Sequence, residues 1–550
     1  MPRGRTPDTV PMQLTLDANG GPRHQQIYAA LRAWILNGSL RCGDRLPSTR
    51  VLAHDLGVSR TTVLGAFSRL LAEGYVTGKA GAGTRVAALP ATSRRAERSL
   101  SGAAAAIARA DVGARIASSA DATPSLSSAA KALFAEGKWR RVPADVVPFA
   151  AVAPALELFP LNTWTRLTAR RWRLSGRDLL LLDSPRGYEP LREAVAQYAV
   201  TARGVRCTPE QVFIVNGAQH ALDLCARLLV GPGDKVWMES PGYLPARGVF
   251  AASGAEIIDV PIDADGLDVA SGRALAPTAR LAYVTPSFQF PLGVTMPVDR
   301  RLELLEWARE ANAWIVEDDY NGEYRYDTAP VPAMQGLDHH GRVLYVGTFS
   351  KTLSPAIRLG YLILPPALVA PFTQARLLLD WHSPVAAQAV LADFISSGHF
   401  ARHIRRTRTL YQQRQRAFVS LAARELAGLV SVSAAPAGMH LVGWLAPDVS
   451  DHAVAEEALR RGVMVVAMSS HLDAATHGPG LLFGYAAYTP AQMRVAMQTL
   501  AAAIRAVQER SRSGADASDH AVPKGDRSPW ARRAMIERIR VSAAREARPL

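Results

Sequence analysis

Lys351 lies among residues whose types suit the covalent capture of an aldehyde and the binding of a phosphate group. The stretch 347–360 reads GTFSKTLSPAIRLG. An amine forms an imine with an aldehyde, so Lys351 is the candidate for a covalent bond to a carbonyl compound. Arg358, seven residues later, has the charge that binds phosphate, and the hydroxyl of Thr348 or Ser350 can add a hydrogen bond.

A second group of polar residues directly follows the apolar run 314–316, which predicts a buried strand. Its members include Asp318, Asp319 and Tyr320. A buried carboxylate at this strand end can pair with a cationic N–H group, and a tyrosine hydroxyl can donate a hydrogen bond. Because side chains alternate along a strand, Asp318 and Asp319 point in different directions, so only one of them faces a given site.

A third segment has the pattern of an anion site. Four residues from Asn216 follow the strand-like run 211–215 and open a helix. Backbone N–H groups at the start of a helix bind phosphate. The sequence therefore adds three candidate phosphate ligands to Arg358: Gly217, Ala218 and Gln219.

The elements that must position these residues read as an α/β domain. Across residues 147–508, strand-like runs such as 235–238, 281–284 and 343–346 alternate with helical stretches. This alternation predicts βαβ units and a mostly parallel sheet. A chain of 550 residues also exceeds one ordinary domain.

Residues 23–89 predict a separate, mainly helical unit. One helix runs from His24 to Asn37, Ser48 or Thr49 can cap a second, and Ser59 can cap a third. Two short strands around a glycine-rich tip close the unit as a β-hairpin.

The remaining segments are predicted to be an N-terminal arm (1–22), a linker rich in Ala, Ser and Arg (90–146), and a basic, poorly ordered tail (509–550). The net charge of +15 is concentrated in residues 1–90 and 509–550, which favours a polyanionic partner. Three widely separated cysteines form no disulfide or metal pattern. With no apolar span of about 20 residues and no signal peptide, we expect a cytoplasmic protein that binds neither metal nor membrane.

Residues 23–88 resemble the winged helix-turn-helix of the GntR family. The matching stretches are LPSTR at 46–50, LAHDLGVSRTTV at 52–63, and EGY at 73–75 followed by GAGTRV at 81–86. The resemblance implies that the partner is double-stranded DNA. Leu64 stands where some relatives carry an arginine that faces DNA, so that contact is not expected here. The residues implied to lie at the DNA are Arg50, Arg60, Thr61, Thr62, Gly81 and Gly83.

Residues from about 147 to 508 resemble a class I aminotransferase of fold type I, so the whole chain is similar to the MocR subgroup of GntR regulators. The resemblance implies that pyridoxal phosphate is bound as a Schiff base by Lys351. In the subgroup's pattern Asp318 meets the ring nitrogen, with Asp319 as the alternative. Tyr320 meets the phenolic oxygen.

The same resemblance implies the remaining contacts to the cofactor. Tyr243 is placed like the aromatic residue that covers the ring. Tyr188 is placed to reach the phosphate of the partner subunit in a homodimer. Thr348 or Ser350 joins Arg358 at the phosphate.

Two positions depart from the aminotransferase pattern. Phe290 stands where many relatives use an asparagine to hydrogen bond to the phenolic oxygen. Leu482 stands where an arginine normally holds the substrate carboxylate, and a leucine cannot form that bidentate contact. Arg247 is the remaining candidate for binding an effector, with a surface arginine as the alternative.

These residues favour a transcriptional regulator that senses an amine or amino-acid effector. We expect its aminotransferase-like domain to form Schiff bases with little or no turnover. A PdxR-type regulator that senses pyridoxal phosphate itself is a second possibility. The alternative from another class is an active class I aminotransferase with an appended DNA-binding domain.

Overall fold

The computed structural model describes residues 14–17, 21–79, 83–88, 127–135, 149, 153–326, 331–471 and 478–512. The chain divides into two compact units, Met1–Ser125 and Leu126–Leu550. Within the described ranges, no helix is long and apolar enough to cross a membrane. The same ranges contain no group of His, Cys, Asp and Glu side chains able to hold a metal ion.

The described residues of the first unit form three helices and a two-stranded antiparallel hairpin. Their bounds are α1 (Arg23–Asn37), α2 (Thr49–Asp55), α3 (Arg60–Ala72), β1 (Val76–Lys79) and β2 (Gly83–Val86). The Ser48 hydroxyl accepts from the Val51 N–H at the start of α2, and the Ser59 hydroxyl accepts from the Thr62 N–H at the start of α3. Both predicted serine caps are therefore confirmed. The three helices bury one common apolar core that includes Ile27, Leu31 and Leu70.

An eight-stranded sheet forms the centre of the second unit, in the order β3-β10-β9-β8-β7-β4-β5-β6. The pairs from β9 through β5 are parallel, whereas β10 runs antiparallel to both neighbours. The predicted α/β fold with a mostly parallel sheet is thus confirmed. The strands are β3 (Val212–Val215), β4 (Lys235–Ser240), β5 (Glu256–Asp263), β6 (Gly266–Leu267), β7 (Leu281–Val284), β8 (Trp314–Asp318), β9 (Val343–Thr348) and β10 (Gly360–Ile363).

Helices accompany this sheet along the chain, and apolar side chains of several of them pack with sheet residues in shared buried clusters. They are α4 (Ser128–Ala135), α5 (Leu161–Ser175), α6 (Glu189–Tyr198), α7 (Ala218–Leu229), α8 (Leu244–Ala252), α9 (Val269–Leu275), α10 (Val298–Glu310), α11 (Pro366–Leu379), α12 (Val385–Ser396) and α13 (His399–Glu425).

The C-terminal part adds an antiparallel sheet in the order β11-β12-β14-β13, together with two helices. The elements are β11 (Ser431–Val432), β12 (His440–Trp444), α14 (Asp451–Arg460), β13 (Val466–Ala467), β14 (Gly480–Gly484) and α15 (Pro490–Arg512). This sheet leaves little signal in the sequence, because two of its strands contain only two residues each.

The expected domain bounds stay predictions. Helix α4 lies inside the segment 90–146 that is expected to be a linker, and α15 spans the expected domain end at 508 and continues to Arg512. Most of the expected arm and linker, and the basic tail beyond Arg512, lie outside the described residues.

Candidate functional site

Three strands end at the same edge of the large sheet and bring the candidate residues together. Gly360 of β10 pairs with both Val215 of β3 and Thr348 of β9. The segment from Asn216 and the turn that carries Lys351 therefore begin side by side. β8 runs parallel to β9, so its last residue, Asp318, lies at the same edge.

Asp318 is a buried carboxylate with one oxygen engaged and one without a partner. The Tyr283 hydroxyl donates to Asp318 Oδ2 at 2.9 Å. No described residue makes a hydrogen bond to Oδ1. Burial raises the pKa of Asp318 to about 7, although the Tyr283 hydrogen bond and the nearby Lys351 charge act against the increase. Since a bare carboxylate oxygen in the interior is unfavourable, this atom suits a cationic N–H donor.

Asp319 has a different set of partners. Arg203 donates to Asp319 Oδ2 at 2.7 Å, and the Tyr345 hydroxyl donates to the same oxygen at 2.5 Å. Burial alone would raise the pKa of Asp319, but the Arg203 charge and these hydrogen bonds outweigh it and lower the pKa. Asp319, directly after β8, thus belongs to a buried ion pair with Arg203, and its Oδ1 has no hydrogen-bond partner among the described residues.

Lys351 is half-buried in the turn after β9. Desolvation lowers the pKa of its amine to about 8, with the charge of Asp318 acting in the opposite direction. A lowered pKa increases the neutral fraction of the amine, which is the form that attacks a carbonyl. His403 of α13 supports the turn, because its Nε2 lies 2.8 Å from the Thr352 carbonyl oxygen.

The segment after β3 has the predicted form of an anion site. Gly217 precedes α7 with a φ of 88°, a backbone conformation that glycine adopts without strain. Ala218 and Gln219 form the first turn of the helix. Arg358 reaches this turn from the other side, and its Nη2 donates to the Asn216 carbonyl at 2.8 Å.

The hydroxyl side chains of Thr348 and Ser350 lie near Lys351 in the sequence. Thr348 is buried at the end of β9, and its Oγ1 accepts from the Ser350 N–H at 3.1 Å. Both residues adjoin the turn that carries Lys351, as the sequence predicts. Their roles at a phosphate stay predictions.

Phe290 and Leu482 come together although they lie far apart in the sequence. With Met468 they form a small buried cluster, against which Tyr243 and Tyr320 pack. The Phe290 ring centroid lies 5.7 Å from that of Tyr243 and 6.1 Å from that of Tyr320. The Tyr320 hydroxyl has no hydrogen-bond partner among the described residues. The two departures from the family pattern therefore form one continuous apolar wall beside the predicted ring contacts.

Arg247 lies one turn after Tyr243 on α8 and forms an ion pair with Asp259. Both residues line a cleft of about 250 Å³, together with Tyr243, Ser470 and His471. The cleft is a reasonable place for a small ligand. The carboxylate of Asp259 already offsets the charge of Arg247, so its effector role stays a prediction.

Tyr188 lies just before α6, where its ring packs against a small apolar cluster formed by Leu179, Val385 and Ala389. Its hydroxyl accepts a long hydrogen bond of 3.5 Å from Arg171. None of these contacts joins it to the phosphate segment of its own subunit.

Sequence reasoning missed Tyr283, Arg203 and His440. Tyr283 can be found once β7 is known to lie beside β8, because its strand neighbours that of Asp318. Arg203 ends a π-helical turn, Ala199–Arg203, which no simple periodicity signals. His440 lies on β12, in the sheet that the sequence analysis did not identify.

In the first unit, Arg60, Thr61 and Thr62 lie in the first turn of α3, and Arg50 lies in the first turn of α2. Arg50, Arg60 and Thr61 are exposed. The Thr62 hydroxyl lies 2.8 Å from that of Ser59, so it helps to form the helix cap. Arg60 also makes an internal contact, a long hydrogen bond of 3.4 Å from its Nε to the Thr49 hydroxyl.

The hairpin carries the remaining predicted DNA contacts. Gly83 opens β2 with a φ of 80°, and a Cβ there would lie 2.8 Å from the guanidinium Nε of Arg45. Gly81 lies outside the described residues. Arg85 of β2 forms an isolated β-bridge with Arg45, so two basic residues lie together at this strand.

Comparison with protein families gives a match to each unit. Residues 23–86 match the bacterial regulatory proteins of the gntR family, and residues 145–500 match the class I and II aminotransferases. The second match covers more than half of the chain.

Similar whole proteins combine both units. The chain is 41% identical to the probable rhizopine catabolism regulatory protein MocR of Rhizobium meliloti, over 93% of this chain and 100% of that protein. It is 30% identical to the pyridoxine biosynthesis regulator PdxR of Corynebacterium glutamicum, over 87% and 95%. It is 33% identical to the regulator TauR of Rhodobacter capsulatus, over 74% and 81%.

Solved aminotransferases share the fold of the second unit. The kynurenine aminotransferase of Pyrococcus horikoshii is 27% identical with a TM-score of 0.61, over 66% of this chain and 92% of that one. LysN, the α-aminoadipate aminotransferase of Thermus thermophilus, is 28% identical with a TM-score of 0.61, over 70% and 96%. The latter structure contains a phosphopyridoxyl compound.

Proposed function

Because this chain belongs to the MocR-type GntR family, in which a helix-turn-helix is joined to an aminotransferase-like domain, we propose that it is a DNA-binding transcriptional regulator. Its fold indicates pyridoxal phosphate as the cofactor. The domain senses a small amine, an amino acid or the cofactor itself. The observation that carries the proposal is the presence, in one chain, of a GntR-type unit and of an aminotransferase-type sheet edge where the candidate residues Lys351, Asp318 and Arg358 come together.

The residues at the sheet edge fit the cofactor. Asp318 Oδ1 is a buried acceptor without a described partner, which suits a protonated ring nitrogen, and the Tyr320 hydroxyl suits the phenolic oxygen. Lys351 supplies the amine for the covalent bond, and Tyr243 covers the ring. When bound, the cofactor supplies an aldehyde that captures amines and a ring that withdraws electrons from them.

The phosphate group fits the opposite end of the same site. The N-terminal turn of α7 offers the N–H groups of Gly217, Ala218 and Gln219. The guanidinium of Arg358 donates to the Asn216 carbonyl at 2.8 Å, so it adds a positive charge beside these N–H groups. Thr348 or Ser350 adds a hydroxyl. This arrangement supports binding of the cofactor through both its ring and its phosphate.

The apolar wall argues against efficient transamination. In a transaminase the substrate carboxylate is fixed so that the Cα–H bond is correctly oriented to the ring, and such positioning contributes several kcal/mol to lowering the barrier. Leu482 and Phe290 offer no group that could hold a carboxylate, and Arg247 is already paired with Asp259. An amine can therefore be captured without being held for rapid turnover.

An active aminotransferase is the second candidate. Two observations favour it: the pKa of Lys351 is lowered to about 8, and Asp318 is hydrogen bonded by Tyr283. Turnover separates the two functions. We expect the holo-protein, mixed with a panel of amino acids, amines and keto acids, to change its absorbance while forming little new keto acid. Sustained multiple turnovers on the order of 1 s⁻¹ would overturn the regulator proposal in favour of the enzyme.

DNA recognition is assigned to the start of α3 and to the hairpin. Exposed Arg60 and Thr61 at the first turn can enter the major groove, where arginine reads guanine through two hydrogen bonds. Arg50, Thr62 and the hairpin glycines Gly81 and Gly83 complete the proposed contacts.

A homodimer is the proposed assembly of the second unit. Leu182 and Leu378 are 72% and 87% exposed, as part of an apolar surface that also includes Leu180, Leu181, Leu379 and Trp381. The two segments adjoin, because the Trp381 indole donates to the Asp183 carbonyl at 3.0 Å. Apolar side chains grouped in this way mark an interaction surface. Tyr188 packs against Leu179 and Ala389 close to the first segment, a position from which it can reach a partner's phosphate.

A further inference from the structure

Two histidines, His440 and His471, interrupt the apolar wall beside the proposed effector position. The His471 ring centroid lies 5.4 Å from that of Phe290, and its Nδ1 lies 3.3 Å from the Gly242 carbonyl oxygen. His440 is buried on β12, and its ring centroid lies 5.5 Å from that of Phe290 and 5.1 Å from that of Phe288. Besides burial, the charge of Lys351, the amine proposed to capture ligands, is one of the causes that lower the pKa of His440.

The register of the C-terminal sheet turns His440 toward the same side as Leu482. Val442 pairs directly with Leu482, so their side chains share one face, and both pack in the cluster with Phe290. His440 is two residues before Val442 and lies on that face too. Leu441, Leu481 and Phe483 occupy the other face, inside a separate core.

The hydrogen-bond partners of His440 determine which nitrogen is available. Its Nε2 lies 3.2 Å from the carbonyl oxygen of Pro291. A carbonyl can only accept, so Nε2 carries the hydrogen and Nδ1 of the neutral ring is an acceptor. Nδ1 is buried and has no hydrogen-bond partner among the described residues. Burial lowers the pKa of His440 to about 4, so the ring stays neutral near neutral pH.

An unpaired acceptor in an apolar wall selects a particular ligand chemistry. A hydroxyl can donate to it and relieve the unfavourable burial of Nδ1. A carboxylate brings only acceptor oxygens and loses its hydration without compensation. We propose that His440 is a specificity-determining residue and that the effector is a hydroxylated amine without a carboxylate at this wall. This inference rests on the proposed amine-sensing function and specifies its ligand class.

The test uses matched sets of small amines on the full-length holo-protein. Each set contains a hydroxyl, a methyl and a carboxylate form of one chain length: ethanolamine, ethylamine and glycine; propanolamine, propylamine and β-alanine; butanolamine, butylamine and γ-aminobutyrate. Dissociation constants come from the change in absorbance of the bound cofactor. In at least one set, we expect the amino alcohol to bind about tenfold more tightly than both analogues.

Three variants assign that preference to His440. His440→Phe keeps an aromatic ring but removes the acceptor, so the amino alcohol and the alkylamine should bind equally. His440→Gln keeps a hydrogen-bond acceptor and should retain part of the preference for the amino alcohol. This variant tests the proposal even if His440→Phe fails to fold. Leu482→Arg places a cation on the same face and should shift the preference toward the carboxylate form.

The inference is overturned if the wild type binds the amino acids most tightly, if His440→Phe keeps the preference for hydroxyl, or if no amine changes the absorbance. DNA binding measured on the same samples separates this inference from the proposed function. A protein that binds DNA in a cofactor-dependent way but ignores every amino alcohol would retain its proposed role as a regulator while losing this effector class.

Discussion

At the scale of single residues, Asp318 combines deep burial with an unpaired oxygen, and this combination has a measurable consequence. Its pKa is raised from 3.8 to about 7 in the folded, cofactor-free chain. Between these values folding takes up a proton at Asp318, so the contribution of this group to stability falls as the pH rises. A buried, ionised carboxylate of this kind destabilises the folded state unless a cationic group binds to it.

We therefore expect Asp318→Asn to become progressively more stable relative to the cofactor-free wild type as the pH rises through this window. The difference in unfolding free energy should change by up to about 1.4 kcal/mol per pH unit. Urea unfolding of both proteins at several pH values measures it, and the comparison cancels the other buried titrating groups. A difference independent of pH would contradict the raised pKa of Asp318. The same variant should retain pyridoxal phosphate less tightly.

The sequence identified most residues of the candidate site because each follows a recognisable strand or opens a helix. Lys351, Asp318 and the segment from Gly217 were found in this way. Tyr283, Arg203 and His440 were not, because their roles depend on which strands become neighbours and on a π-helical turn. Partners that lie far apart in the chain are set by the tertiary fold and leave no local signal.

At the scale of elements, α3 is the helix whose first turn is proposed to read DNA. Its cap is formed by the Ser59 hydroxyl, which accepts from the Thr62 N–H at 3.2 Å. This contact fixes where the helix begins and therefore leaves Arg60 at the first exposed position. Arg69, near the other end of α3, instead forms an ion pair with Glu73 at 2.9 Å.

Arg60→Ala should weaken binding to a selected DNA site by about 1–3 kcal/mol and relax the preference at one base pair. Arg60→Lys keeps the charge but loses the planar two-donor contact, so it should lose base preference while keeping most of the dependence on salt. Fluorescence anisotropy with single-base variants of the site measures both effects. Arg69→Ala is the matched control on the same helix. Equal base preference in wild type and both Arg60 variants would show that Arg60 does not read bases.

At the scale of the whole molecule, the exposed leucines of the second unit are the strongest sign of association between copies. Leu181 lies two residues before Asp183, whose carbonyl accepts a hydrogen bond from the Trp381 indole. A charge introduced at position 181 would therefore enter the centre of the proposed interface. Burying an unpaired charge between subunits is strongly unfavourable.

Leu181→Glu should accordingly convert dimers to monomers at micromolar concentration and reduce retention of the cofactor if Tyr188 reaches the partner's phosphate. Leu275→Glu is the control, since Leu275 on α9 is similarly exposed, at 55% against 59% for Leu181. Sedimentation equilibrium gives the mass of each variant. A wild type that is monomeric, or a Leu181→Glu variant that stays dimeric, would refute this interface.

The central claim is that the state of the Lys351 site controls DNA binding, and the affinity for DNA with and without the cofactor tests it most directly. DNA selected from a random pool by the full-length protein serves as the ligand, at one fixed salt concentration. We predict that pyridoxal phosphate changes the dissociation constant of the wild type by at least about fivefold, the lower end of ordinary allosteric coupling. The DNA affinity of Lys351→Ala should not change when the cofactor is added. Lys235→Ala is the control and should behave like the wild type, because Lys235 pairs with Glu256 away from the site. Equal DNA affinity of the wild type with and without the cofactor would contradict the account.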